Sequence, residues 1–192
     1  LDATAFLGAV PDRFGPVTDR VSTAQYFAMA RGTDTAPAME MTKWFDTNYH
    51  YIVPEFTNGQ SFRLASLKPV EEFLEARALG IHTRPVLLGP ISWLSLGKAK
   101  DAGLDPLAFL PAILPIYAEI LSRLADAGAD WVQIDEPGLV TDLSPAQTRA
   151  LRSAYAQLAG VGPQVMLASY FGALAENLDL ALSLPVAGLH LD

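Results

Sequence analysis

From residue 68 onward the chain alternates between two kinds of segment, and that alternation constrains its fold more than any other feature of the sequence. Residues 69–80, "PVEEFLEARALG", place apolar side chains at helical spacing, open on Pro69 and stop at Gly80. Residues 83–89, "TRPVLLG", form a short apolar run of the kind expected of a strand buried on both faces. A short helix is predicted over 91–98, then a long one over 106–128, with Pro111 and Pro115 placed to kink or break it. "DWVQID" (130–135) reads as a second buried strand. Over 144–160 a helix is expected, with Ser144 as N-cap, Pro145 at its first position and Gly160 past its end. A third strand (163–170), a helix (172–184) and a fourth strand (186–192) complete the series.

Four β elements alternating with helices predict parallel βα units joined by right-handed crossovers. A doubly wound sheet and a (βα)8 barrel both satisfy that pattern. The G-x-G-x-x-G turn and the P-loop are absent. Polar residues instead collect at the C-terminal ends of several strands: Asp135, Glu136, Tyr170, His190 and Asp192. Convergence of several strand ends at one rim is how barrel sites are built, and such barrels run to roughly 250 residues. The expectation is therefore an α/β fold, a (βα)8 TIM-type barrel that is incomplete within 192 residues. A start without Met and an end inside a strand fit a piece of something longer. The first 67 residues are less regular. Residues 4–10 and 24–32 read as strands or short helices and 32–39 as a loop, with no internal repeat and no domain boundary.

Composition narrows the function classes. A formal charge of −8 argues against nucleic acid, whose phosphates require a clustered basic face. The chain has no cysteine, which removes disulfides, a thiol nucleophile and thiolate zinc ligands. Without an uninterrupted apolar run near 18 residues, no membrane partner is expected and the default location is the cytoplasm.

One segment concentrates groups capable of recognition: "EMTKWFDTNYHYIVPEF", residues 40–56. The Lys43 ammonium could anchor an anion, the Asn48 amide could add contacts, and Trp44, Tyr49 and Tyr51 could stack on a flat ring. The plainer reading makes Lys43 a surface residue whose stem covers apolar area. In "QIDEPG" (133–138) Asp135 and Glu136 are adjacent on a strand, so they point to opposite sides and cannot both face the rim without a turn. His190 and Asp192 share a face, which suits proton transfer, or equally a polar pair inside a barrel. After "GP" at 89–90 a helix start offers backbone N–H groups to an anion, with ordinary βα-loop chemistry as the simpler account.

Taken together, "AMEMTKWFDTNYHYIVPEF", "RPVLLGPISWLSLGK", "ILPIYAEIL", "GADWVQIDEPGLV" and "GLHLD" resemble, in this order, the N-terminal half of the cobalamin-independent methionine synthases. That resemblance implies two face-to-face (βα)8 barrels, with residues 1–192 as part of the N-terminal one. It implies methyl transfer from 5-methyltetrahydropteroyl-oligoglutamate to homocysteine, giving methionine. It also implies a zinc ion held by His, Cys, Glu and Cys of the C-terminal barrel, which activates the homocysteine thiol. Lys43 and Asn48 match positions that contact the folate and its glutamate tail, while Asp135 and Glu136 match a motif that recurs in the catalytic barrel. No catalytic residue and no metal ligand is expected here, and the chain alone is expected to be inactive. Two other readings stand beside this one: a stand-alone, non-catalytic binding or scaffold module derived from a barrel, and a self-contained hydrolase using Glu136 with a second carboxylate.

Overall fold

Burial along the strands sets the architecture. The computed structural model describes residues 1–192. Its helices and strands run in the order α1 (Asp2–Phe6), α2 (Thr23–Arg31), β1 (Met41–Lys43), β2 (His50–Ile52), β3 (Glu55–Phe56), α3 (Lys68–Ala78), β4 (Val86–Leu88), α4 (Pro90–Leu96), β5 (Lys98–Ala99), α5 (Leu110–Asp126), β6 (Trp131–Asp135), α6 (Pro145–Leu158), β7 (Gln164–Ala168), α7 (Leu178–Ser183) and β8 (Gly188–His190). The strands β4, β6, β7 and β8 pair in parallel in that order. No strand is inserted out of sequence.

Leu87, Ile134, Leu167 and Leu189 lie on one rung of this sheet. The first three are at most 3% exposed and join one core with Ile113, Tyr117, Ile120 and Leu124 of α5 and Leu151 and Tyr155 of α6. The neighbouring rungs face the other way and stay partly open: Val86 is 55% exposed, and Trp131, Gln133 and Asp135 are half-buried. The expectation of strands buried on both faces is therefore corrected, because helices cover one face only. Sequential order with helices on one side fits an arc of a barrel and not a doubly wound sheet. The arc does not close: β4 pairs only with β6 and β8 only with β7, leaving both outer edges free.

Local chemistry explains the helix ends. Ser144 and Gln147 form a reciprocal capping box at the start of α6, with Pro145 in its first turn. The expected break in the long helix falls before Leu110: residues 106–109 form a 3-10 turn, and α5 runs on through Pro115. Pro111 sits in the first turn, where a missing N–H costs nothing. Pro106–Asp126 is long and apolar enough to cross a membrane, yet α5 buries its apolar stripe in the core.

The first third contains helices where strands or helices were both open, α1 and α2, and an antiparallel hairpin, β1–β2. Specific contacts tie it to the helices and connections of the βα half. Trp93 Nε1 donates to Thr4 Oγ1 at 3.1 Å, and Lys68 pairs with Asp2 at 2.8 Å. Glu55 lies beside Lys98 in the small parallel β3–β5 pair.

Candidate functional site

The open face of the sheet carries polar side chains near its end, Gln133, Asp135 and His190. Leu88, Asp135, Ala168 and His190 share the last rung. Two residues back on the same face, Gln133 donates through Nε2 to Asp135 Oδ1 at 2.7 Å and accepts from Arg84 Nη2 at 2.7 Å. The Tyr170 hydroxyl donates to Asp135 Oδ2 at 3.1 Å. Burial lifts the Asp135 carboxyl above its ordinary range, only partly offset by its bonds from Gln133 and Tyr170. Burial and then the neighbouring Asp135 push the Tyr170 phenol well up, so it remains a proton donor.

Across from these side chains stands the hairpin. Thr42 pairs with Tyr51, and Lys43 with His50, so the two pairs occupy opposite faces. Trp44 and Tyr51 meet edge to face at 5.3 Å, and Tyr51 donates to the Leu96 carbonyl at 2.9 Å. Together with Arg84, Trp93, Asp135 and Tyr170 they line a cavity of about 640 Å³. At the tip, Phe45 reaches the loop after β7 and meets Phe171 at 5.4 Å. Both phenylalanines hold positive φ, 53° and 80°, in the left-handed region that L-residues rarely occupy.

Lys43, His50 and Asn48 are exposed. Lys68, Lys98 and Lys100 each pair with a carboxylate, which leaves Lys43 as the one lysine of the four without such a partner. The family model for the cobalamin-independent synthases, N-terminal domain, matches residues 1–192. The chain belongs to this family.

The chain is 56% identical to the 5-methyltetrahydropteroyltriglutamate–homocysteine methyltransferase of Nitrobacter winogradskyi, over all of this chain and 28% of that protein. Identity is 55% to the same-named protein of Rhodopseudomonas palustris and 58% to that of a Chelativorans species, in both cases over all of this chain and 27% of the relative. The chain thus spans little more than a quarter of the curated relatives it matches.

Within this chain the expected site residues separate. Asp135 faces the cavity. Glu136 turns to the helix side, 1% exposed, where its oxygens accept from Ser92 N at 2.7 Å, Ile91 N at 3.3 Å and the Tyr155 hydroxyl at 3.3 Å. The N–H groups after the "GP" turn, which could have received an outside anion, go to this internal carboxylate, which caps α4. A Cβ on Gly89 would lie 2.2 Å from it, so only glycine fits there. Burial raises Glu136 to about 7 against those donors. His190 is exposed on the Asp135 rung, and Asp192 accepts from Phe171 N at 3.1 Å. No bond joins His190 to Asp192.

Arg84 and Gln133 escaped the sequence reading. The signal was present, since Gln133 and Asp135 differ by two positions on one strand and must share a face. No three His, Cys, Asp or Glu side chains lie together as a metal would require.

Proposed function

We propose that this chain is part of the N-terminal (βα)8 barrel of a methyltransferase that moves the methyl group of 5-methyltetrahydropteroyltriglutamate to homocysteine. The observation that carries the reading is identity of 55–58%, over all of this chain, to relatives bearing that name. The role of this segment is to hold the folate, chiefly its glutamate tail. Lys43 supplies an unpaired ammonium on the outer face of the hairpin, where a flexible chain of carboxylates can reach it without displacing an existing ion pair. Asn48, exposed at the tip, adds an amide.

Zinc does not fit these 192 residues, which lack cysteine and any cluster of three candidate ligands. The resemblance implies a zinc in a C-terminal barrel outside these residues, and no step through it is assigned to this chain. Glu136 is equally unsuited to hydrolysis, since it is enclosed on the helix side of the sheet and already engaged as a cap.

The test is Lys43→Ala in the longer enzyme. Binding of the triglutamate folate should weaken by about tenfold, near the 1.4 kcal/mol of one charge-assisted contact, while the monoglutamate form changes little. Equal loss for both forms refutes the tail contact.

A further inference from the structure

The cavity holds two opposite charges that the folate reading leaves unused. Asp135 enters it from the end of β6 and Arg84 from the segment leading into β4. Gln133 spans the gap between them, its oxygen on the cation and its nitrogen on the anion, each bond 2.7 Å long. A free α-amino acid presents the same polarity over a similar span. Its carboxylate accepts, its ammonium donates, and two carbons separate them.

Neither charge is exhausted. Arg84 donates only through Nη2 and keeps its remaining N–H groups, and each Asp135 oxygen receives a single donor although it has room for two. Neither residue has an ion-pair partner. The other charges lining the cavity differ in this respect, because Lys68 is paired with both Asp2 and Glu72. The remaining wall is largely apolar and aromatic, with Trp44, Tyr51, Phe73 and Trp93 among its members. Aromatic faces favour an ammonium nearby and cover an apolar side chain equally well. An apolar pocket with a few convergent polar groups is the usual form of a small-molecule site, and about 640 Å³ lies within its usual size.

We propose that this cavity binds a free α-amino acid with an apolar side chain, its ammonium on Asp135, its carboxylate on Arg84 and its side chain among Trp44, Tyr51 and Trp93. The site is separate from the Lys43 face, which lies on the opposite side of the hairpin from Tyr51.

Calorimetric titration of the 192-residue chain tests it with four probes: L-methionine, N-acetyl-L-methionine, L-methioninol and glycine. L-methionine should bind. Removing the ammonium charge, the carboxylate or the side chain should each weaken binding by about tenfold or more. Asp135→Asn and Arg84→Gln should each lower L-methionine affinity to a similar extent, and Arg84→Gln should leave L-methioninol unaffected. If Asp135→Asn does not fold, the four probes on the unchanged chain decide alone. Absence of L-methionine binding at millimolar concentration, or binding of the N-acetyl or alcohol analogue as tight as that of L-methionine, overturns the proposal.

Discussion

Glu55 and Glu136 are both buried carboxylates, one in the loop-rich first third and one in the regular βα half, and they are held in opposite ways. Glu55 is 8% exposed and accepts from both terminal guanidinium nitrogens of Arg13, at 2.7 and 2.8 Å, with Lys100 at 3.3 Å. Burial alone would raise its carboxyl, but the two cations outweigh that and hold it below the ordinary range. Glu136 receives three donors and no cation, and burial raises it to about 7. The number of hydrogen bonds is therefore a poor guide to charge state. What separates the two is a countercharge. Backbone and phenol dipoles satisfy Glu136 geometrically without repaying its lost hydration.

The contrast gives opposite pH slopes. The folded chain binds the Glu136 proton more tightly than the unfolded chain does, so its stabilising effect is complete below about 4.5 and is lost as pH rises to about 7. At 1.36 kcal/mol per unit this amounts to roughly 3 kcal/mol. Glu136→Gln should remove that slope from a plot of urea-unfolding free energy against pH, and an unchanged slope would break the comparison. Glu55 behaves in the reverse sense, its stabilisation being present above the ordinary carboxylate range and lost as pH falls through its lowered value. Arg13→Ala should cost about 2 kcal/mol at pH 7, since it strips the bidentate partner from a buried charge while solvent reaches part of the pair. Lys100 is 44% exposed and more distant, so Lys100→Ala should cost about 0.5 kcal/mol by the same measurement. Equal losses for Arg13 and Lys100 would mean that net charge, and not bidentate geometry, protects Glu55.

The same division separates what could be read in the sequence from what could not. In the βα half, Ser144 with Pro145, Gly80 and the apolar runs located helices and strands to within a few residues, because caps and periodicity are local. The divergence of Asp135 and Glu136 followed from strand alternation alone. Burial of β4 and β6 on both faces was misjudged, since an apolar run does not reveal whether a second layer exists. In the first third, the Ser22–Gln25 capping box that opens α2 was a local signal passed over. The hairpin was not legible in the same way. Its two faces, one carrying Tyr51 and one carrying Lys43, depend on register, and the Arg13–Glu55 pair joins positions that no short window contains. The crowding of recognition-capable residues at 40–56 was visible, but not their division between cavity wall, solvent face and buried ion pair.

The two outer strands of the sheet differ, β4 on one side and β8 on the other, and in a parallel sheet that difference is directional. A strand added beside β8 in the same sense presents the same kind of edge again, so addition alone never removes an edge. Only curvature that brings the last strand round to β4 does so, and this is what the proposed barrel requires of every further strand.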